Sequence, residues 1–344
     1  MDAWLEAGLS ASLWLQTSYP ELLGLLQLVS DLGDFEFYLA LMLFIYWTID
    51  KRQGQHLAYT LAVGNFLING LKHTLRGPRP FWLDASLGIE EEGYGVPSGH
   101  VTSATVTYLY LANWIRQRWA WGAAVFIIAL MALSRIYLGV HFLHDALAGL
   151  VLGTAVFIGY LLWRQYAHPQ FQELILGQRF WVAVGVPIAL GFLYALVRLF
   201  QGGADTAVSG GAYVPAAELD GLESTISALA ILLGLGMGFI LEGSRVRFVV
   251  EAELWHKIVR YLLGVGVALG LLFGLSALFG QIAPETSPLW LQMVLRFVRY
   301  WLVAIWGAFY APMFFVKIGL AQATPLPKMS GSVNKLAKTE KGKK

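Results

Sequence analysis

Three short stretches between Lys72 and Asp145 hold side chains that could together bind and move a phosphoryl group. The first runs from Lys72 to Pro80, the second is residues 97–100 (Pro-Ser-Gly-His), and the third runs from Ser134 to Asp145. They supply cations, histidines, a carboxylate and a turn that contains glycine. Cations neutralise phosphate oxygens, and a histidine can carry either a phosphoryl group or a proton. This combination predicts phosphoryl transfer through a histidine.

Lys72 and Arg79 are the candidate phosphate-binding cations of the first stretch. A helix through both would place them on one face, about 10 Å apart along its axis. Gly77, Pro78 and Pro80 interrupt that helix, so we expect Arg79 to fold back over its end. Two fixed cations can neutralise a phosphate dianion. For Lys72 alone, the competing interpretation is a side chain that snorkels to the membrane surface.

The second stretch reads as the start of a helix that could bind an anion. Pro97 suits a helix start, and Ser98 could cap the helix or offer its hydroxyl to a ligand. Gly99 allows close approach of the backbone, and N–H groups at a helix N-terminus bind anions. His100 would then stand beside a bound phosphate as a proton donor. The plainer interpretation is an ordinary cap followed by a histidine at the membrane interface.

The third stretch adds Arg135, His141 and Asp145. We expect Arg135 at the end of one helix, with His141 and Asp145 four residues apart at the start of the next. On a helix those two would face the same way, about 40° apart. The carboxylate could then accept a hydrogen bond from one imidazole nitrogen and leave the other nucleophilic. The alternative is an aspartate favoured only by the helix dipole, with an unrelated neighbouring histidine.

The composition places these residues in a membrane protein. The chain is 57% hydrophobic and 13% charged, whereas soluble proteins carry about 25% charged residues. The absence of cysteine excludes disulfides, thiolate metal sites and a cysteine nucleophile. No basic patch stands apart from the membrane edges, so no nucleic-acid partner is expected.

Apolar segments predict an all-α, polytopic helical membrane protein with about nine transmembrane helices. The predicted spans are residues 34–49, 54–76, 98–116, 120–139, 142–164, 180–200, 223–242, 257–279 and 289–317. Residues 3–30 are interrupted by polar side chains and Pro20. We expect two helices lying in the membrane interface there, with one tilted span as the alternative.

The distribution of Lys and Arg predicts the orientation. These residues cluster in alternate loops and in the C-terminal tail, whereas residues 1–50, 201–222 and 280–288 contain none. The positive-inside rule therefore places the C-terminus in the cytoplasm. It also places residues 77–97 and 139–142 outside, so all the candidate residues gather at one membrane face. That agreement supports both interpretations, because the candidate residues were not used to assign the topology.

The three stretches, Lys-x6-Arg-Pro, Pro-Ser-Gly-His and Ser-Arg-x5-His-x3-Asp, resemble the three-part signature of the type 2 phosphatidic-acid phosphatase superfamily. The match keeps the family's order and spacing over residues 72–145. The resemblance implies that His141 is the nucleophile that forms a phosphohistidine, that Asp145 orients it, and that His100 is the general acid. The implied phosphate-binding residues are Lys72, Arg79, Ser98, Gly99 and Arg135. The resemblance implies no metal and no cofactor, and no outer-face carboxylate cluster has metal-ligand spacing.

The resemblance divides the chain into four parts. Residues 1–32 are expected to be N-terminal interfacial helices, 33–166 the lipid phosphate phosphatase core, 167–322 additional transmembrane helices, and 323–344 a basic cytoplasmic tail. The favoured interpretation of the additional helices is extra packing or a homodimer interface, and the alternative is a lipid-binding or lipid-moving module. The acidic residues of 81–96 are expected to form a lid that selects against anionic head groups or restrains the cationic site.

These observations predict an integral membrane lipid phosphatase at the outer face of a plasma membrane, the inner membrane of a bacterium. Its partners would be membrane lipids and a lipid phosphate or diphosphate, such as undecaprenyl diphosphate, phosphatidylglycerophosphate, phosphatidate or a sphingoid-base phosphate. One alternative is a phosphotransferase that uses the same phosphohistidine. Another is a non-catalytic lipid transporter or scaffold, for which a nucleophile and an acid would have no use.

Overall fold

The computed structural model of the chain describes residues 3–87 and 90–324, and these residues confirm an all-α protein. Its helices are α1 (Ala3–Ser18), α2 (Leu23–Asp31), α3 (Phe35–Phe44), α4 (Lys51–Leu75), α5 (Pro80–Leu83), α6 (Gly99–Ile115), α7 (Arg118–Tyr137), α8 (Leu143–Leu162), α9 (His168–Glu173), α10 (Leu176–Gln201), α11 (Val214–Leu241), α12 (Leu254–Ile282), α13 (Leu289–Ile305) and α14 (Ala311–Lys317). Two short antiparallel strands, β1 (Phe248–Val249) and β2 (Gln322–Ala323), join the segment after α11 to the end of the described chain. Most of the predicted basic tail, residues 325–344, lies outside the described residues.

Within the described ranges, six helical segments are long and apolar enough to cross a membrane. They are Arg118–Tyr137, Leu143–Glu173, Leu176–Gln201, Gly211–Val246, Leu254–Ile282 and Leu289–Lys317. The predicted count of nine is not confirmed. Residues 35–49 form a shorter apolar helix, and α6 has only 17 residues. The other predicted span corresponds to α4, which is less apolar because both of its ends carry basic residues.

The N-terminal stretch forms two helices, separated by a single turn that begins at Pro20. Both pack on α7. Ser12 of α1 donates a hydrogen bond to the carbonyl of Ile136 (2.8 Å), and Gln16 donates one to the carbonyl of Tyr137 (2.8 Å). These helices therefore cover the end of α7 that carries Arg135. Their location in the membrane interface stays a prediction.

Helices α4, α6, α7 and α8 form a bundle in which α6 and α8 lie very close together. Gly149 and Gly153 of α8 allow this contact. A Cβ atom at Gly149 would lie 2.8 Å from the carbonyl oxygen of Ser98, and one at Gly153 would lie 2.6 Å from Cβ of Thr105. Side chains at these positions would push the two helices apart. Close packing thus brings the start of α6 beside the start of α8, where the second and third signature stretches meet.

The C-terminal helices pack onto this bundle through α11, which lies between α4 and α13. A Cβ atom at Gly234 would lie 2.7 Å from Cβ of Ala304 on α13. Ion pairs reinforce the packing: Arg296 of α13 lies 2.6 Å from Glu223 of α11, at the nearest nitrogen and oxygen. This ion pair therefore links two neighbouring C-terminal helices. A homodimer through these helices stays a prediction.

Candidate active site

Arg79 lies at the centre of the site and is fully buried. Helix α4 ends at Leu75 because Arg76 adopts a left-handed conformation, with φ of 51°. After the turn, the Arg79 guanidinium donates hydrogen bonds to the carbonyls of Gly93 (2.7 Å) and Val140 (3.1 Å). Arg79 thus joins the acidic loop, which we define as residues 84–87 and 90–96, to the turn before α8.

His141 lies in the turn that connects α7 to α8, so the expectation that it lies on a helix with Asp145 is wrong. Gly139, with φ of 68°, permits this turn. The side chains nevertheless meet: Nδ1 of His141 is 3.3 Å from Oδ2 of Asp145. The same oxygen accepts a hydrogen bond of 2.9 Å from the N–H of Phe142 and so caps α8. The Asp145 carboxylate therefore both caps α8 and orients His141. The two interpretations of Asp145 from the sequence, orientation of the histidine and stabilisation of the helix start, do not exclude each other.

The electrostatic environment keeps the His141 imidazole neutral. The side chain is 1% exposed, and burial, followed by the nearby charge of Arg79, holds the pKa of His141 well below its usual range. Nε2 of His141 lies 3.4 Å from Nη1 of Arg79. Burial lowers the pKa of Arg79 to about 10, so this guanidinium is still charged at neutral pH. If Asp145 holds the proton on Nδ1, the lone pair of Nε2 lies beside a fixed cation.

Arg135 supplies a second buried guanidinium from the last turn of α7. It donates hydrogen bonds to the hydroxyl of Ser30 on α2 and to the carboxylate of Glu91 in the acidic loop. Its Nε has no hydrogen-bond partner among the described residues. The site therefore keeps an unused donor on one of its cations.

The start of α6 presents further donors. Ser98 occupies the N-cap position but makes no cap hydrogen bond with its side chain, and its buried hydroxyl has no partner in the described part of the chain. Its N–H donates to the carbonyl of Asp145 (3.0 Å), which fixes α6 against α8. The first hydrogen bond of α6 runs from Thr102 to Ser98 (3.0 Å). The N–H groups of Gly99 and His100 precede it and lack acceptors within the helix, so they suit an anion.

His100 is held by a residue that the sequence analysis missed. Its Nε2 lies 3.1 Å from Oδ1 of Asp34, and its Nδ1 lies 3.9 Å from Oε1 of Glu91. Asp34 occupies the N-cap position of α3 and is outside all three signature stretches. Nothing in its sequence context distinguishes it from an ordinary helix cap. The pairing leaves Nδ1 of His100 directed towards Glu91, whose other carboxylate oxygen contacts both arginines.

Lys72 stands apart from these direct contacts. It lies in the last turn of α4, and its charge interacts with those of Arg79 and Asp220. Its side chain forms no hydrogen bond or ion pair with residues 3–87 or 90–324. The structure thus brings Lys72 to the same end of the bundle without a partner that would occupy it.

Three neighbouring side chains that had no assigned role also have contacts. Nε2 of His144 lies 3.0 Å from Oδ1 of Asp145. Arg76 pairs with Glu218 of α11 (3.0 Å), and Nε2 of His73 lies 2.9 Å from the Glu218 carbonyl oxygen. Glu218 is far away in sequence, so no local pattern could have predicted this contact. In the described residues, no three His, Asp or Glu side chains are grouped to hold a metal ion.

Comparisons with known proteins match two parts of the chain to one superfamily. Residues 53–169 match the family model described as PAP2 superfamily. Residues 226–323 match the model described as PAP2 superfamily phosphatase, transmembrane extension. The first match contains all three signature stretches, and the second covers most of the C-terminal helices. No solved structure matches the chain.

Curated relatives are phosphatases with different printed substrates. Lipid phosphate phosphatase delta of Arabidopsis thaliana is 26% identical over 35% of this chain and 33% of that protein. Sphingosine-1-phosphate phosphatase 2 of Homo sapiens is 26% identical over 48% of this chain and 45% of that protein. Glucose-6-phosphatase 3 of Rattus norvegicus is 30% identical over 47% of this chain and 54% of that protein. The chain thus spans between a third and just over half of the length of these relatives.

Proposed function

Because this chain belongs to the PAP2 superfamily, we propose that it is a membrane phosphatase that hydrolyses a lipid phosphate monoester or diphosphate. The reaction needs no metal and passes through a phosphohistidine on His141. The observation that carries the proposal is the surroundings of that histidine. Its Nδ1 faces Asp145 at 3.3 Å, and its Nε2 faces the buried Arg79 at 3.4 Å. A neutral nucleophile therefore lies between its orienting carboxylate and a phosphate-binding cation.

In the first step, Nε2 of His141 attacks phosphorus and a P–N bond forms. The bond between phosphorus and the leaving oxygen of the lipid breaks, and His100 gives its Nδ1 proton to that oxygen. Arg79, Arg135 and Lys72 neutralise the phosphoryl oxygens. Asp145 stabilises the positive charge that develops on the imidazole of His141.

In the second step, water replaces the lipid. His100, now unprotonated, takes a proton from the water as its oxygen attacks phosphorus. The P–N bond breaks, inorganic phosphate leaves, and His141 returns to its neutral form. The hydroxyl of Ser98, which has no partner among the described residues, and the N–H groups at the start of α6 supply donors to the phosphoryl oxygens in both steps.

Two observations support a lipid substrate. Of the three relatives described above, two are named for lipid phosphates. In addition, the helix that starts at the site carries an exposed apolar stripe, formed by Leu143, Leu147 and Val151, which are 60%, 52% and 69% exposed. An acyl or prenyl chain could lie along this stripe while its head group reaches His141. The charge distribution supports a site at the outer face of a plasma membrane and a cytoplasmic C-terminus.

The test is phosphate release by the purified full-length protein in detergent with EDTA present. The panel contains the lipid phosphates and diphosphates named above, together with glucose 6-phosphate, because some relatives are named for that sugar phosphate. We expect release from a lipid by the parent and none by His141→Ala. Equal release by both proteins would exclude His141 as the nucleophile. A preference for glucose 6-phosphate would replace the lipid substrate with a soluble one.

The same experiment distinguishes the alternatives. A phosphotransferase would produce a phosphorylated acceptor lipid or sugar in place of free phosphate. A transporter or scaffold would show neither product, and it would bind lipid equally well with and without His141.

A further inference from the structure

Glu91 of the acidic loop lies between the groups that are expected to bind phosphate. Its Oε2 accepts hydrogen bonds from Nη1 of Arg79, at 3.2 Å, and from Nη2 of Arg135. Its Oε1 lies 3.9 Å from Nδ1 of His100. We call this place, bounded by Arg79, Arg135 and His100, the anion position. A carboxylate there has the oxygen contacts that a phosphate would need.

The rest of the loop does not depend on the Glu91 side chain for its anchorage. Arg79 holds the loop backbone through the carbonyls of Gly93 (2.7 Å) and Glu92 (2.6 Å). Tyr94 ties the same segment to Glu218 of α11. The Glu91 side chain itself is 29% exposed, although the Arg79 side chain that it binds is fully buried. The carboxylate can therefore leave the anion position while the loop backbone stays attached.

From these contacts we propose that Glu91 is an internal competitor for the phosphate, and that it sets a threshold for which ligands enter the site. The inference rests on the proposed function and deepens it. A ligand can occupy the anion position only if it binds there better than the tethered carboxylate does. The apparent affinity of every anion is its intrinsic affinity multiplied by the fraction of molecules in which Glu91 has left the position.

This threshold matters because a phosphatase in a membrane is surrounded by phosphodiester lipids. A phosphodiester carries one negative charge, as the Glu91 carboxylate does, so exchanging one for the other gains little electrostatic energy. A phosphate monoester dianion brings a second charge to a site with two buried guanidinium groups, and its attraction is stronger for that reason. Glu91 thus keeps the abundant phosphodiesters out of a site that would otherwise attract any anion.

Glu90 provides the matched control. It precedes Glu91 in the same loop and carries the same charge, but it is exposed and forms no ion pair or hydrogen bond with the described residues. Replacing Glu90 or Glu91 by Gln removes one negative charge from the same loop. Only Glu91→Gln removes a carboxylate from the anion position.

The experiment measures binding of two probes, inorganic phosphate and dimethyl phosphate, to the full-length protein by isothermal titration calorimetry. In Glu91→Gln we expect both dissociation constants to fall by the same factor, about tenfold, because removal of an internal competitor helps every anion equally. In Glu90→Gln we expect both to stay within about twofold of the parent. Unchanged or weaker binding in Glu91→Gln would overturn the inference, and so would equal tightening in both variants.

Two additional measurements complete the test. Glu91→Asp keeps the charge but shortens the side chain, and we expect its dissociation constants to lie between those of the parent and Glu91→Gln. This variant replaces Glu91→Gln if the latter does not fold, and affinities equal to the parent's would then count against the inference. Phosphate release is assayed in parallel. An inactive parent whose Glu91→Gln variant binds anions more tightly would contradict the proposed function alone, whereas an active parent with unaltered binding would contradict only the role of Glu91.

Discussion

The hydroxyl of Tyr94 donates a hydrogen bond of 2.7 Å to Oε1 of Glu218. Tyr94 belongs to the acidic loop beside the candidate site, and Glu218 belongs to α11 in the C-terminal part of the chain. Glu218 also accepts hydrogen bonds from Arg76, at the end of α4, and from Arg198 of α10. A single carboxylate of α11 therefore holds both the acidic loop and the end of α4, which lie on either side of Arg79 in the sequence. This contact gives the C-terminal helices a role in positioning the site.

Replacing Glu218 by Gln should loosen the acidic loop. The amide keeps the shape of the side chain but cannot form charge-assisted hydrogen bonds with Arg76 and Arg198, a loss of about 1–3 kcal/mol in the free energy of unfolding. We expect a lower thermal midpoint in detergent and a KM that rises more than kcat falls, because Glu218 also holds, through Arg76, the end of α4 that positions Arg79. Both are measured with the preferred lipid substrate.

Glu223→Gln is the control for this change. Glu223 lies on the same helix and pairs with Arg296 at 2.6 Å, but among the described residues its side chain forms no hydrogen bond with the acidic loop or α4. We expect a similar drop in the thermal midpoint with an unchanged KM. An equal rise of KM in both variants would mean that Glu218 acts only through general stability.

Asp34 is a positioning residue for the proposed acid. It lies 3.1 Å from Nε2 of His100 and should hold the imidazole with Nδ1 towards the substrate. In Asp34→Asn we expect kcat to fall about tenfold with little change of KM, because general acid catalysis depends on this orientation and phosphate binding does not. Asp31→Asn is the control, since Asp31 is exposed and contacts Gln27 at 3.4 Å. Identical kinetics of the two variants would remove Asp34 from the site.

Arg79 should not tolerate even a conservative replacement. Its guanidinium donates hydrogen bonds to the carbonyls of Gly93 and Val140 and also lies close to Nε2 of His141. In Arg79→Lys the charge is kept but the fork of donors is lost, and we expect kcat/KM to fall about 100-fold. Arg179→Lys is matched to it, because Arg179 also donates to backbone carbonyls, those of Leu174 (2.9 Å) and Gln172, away from the site. Arg179→Lys should retain the parental kcat/KM. If Arg79→Lys also retained it, the proposed binding of phosphate by Arg79 would be contradicted.

The sequence predicted the helical class well because apolar length alone indicates a membrane helix. The predicted count of nine spans is not confirmed: six helical segments of the described residues are long and apolar enough to cross a membrane, and α4 and α6 are not among them. Both are packed inside the bundle and carry polar residues there; Thr102 and Thr105 of α6 are fully buried against neighbouring helices. A helix that is surrounded by protein needs less apolar surface than one that faces lipid.

The candidate site was predictable where its residues are joined by short motifs. The fixed spacing of His141 and Asp145 indicated a contact, although the predicted helical geometry was wrong, because the turn at Gly139 delays the start of α8 until Leu143. Asp34, Glu91 and Glu218 were not predicted as partners of particular residues. They reach the site from separate segments, and only the packing of the folded chain brings them there. Local spacing carries no information about such contacts.

The buried state of His141 makes a prediction about stability and pH. Its pKa in the folded protein lies well below its usual range, whereas in the unfolded chain it is about 6.5. Below about pH 6.5 the unfolded chain therefore binds a proton that the folded protein does not, and the free energy of unfolding falls by up to about 1.4 kcal/mol per pH unit.

His141→Asn has no titrating group at this position. Between pH 7.5 and 5.5, measured by unfolding in mixed detergent micelles, we expect the parent to lose about 1 kcal/mol more than this variant. An equal loss in both proteins would mean that His141 accepts a proton in the folded state as readily as in the unfolded chain. The imidazole would then be a cation in mildly acidic solution, and it could not serve there as the nucleophile.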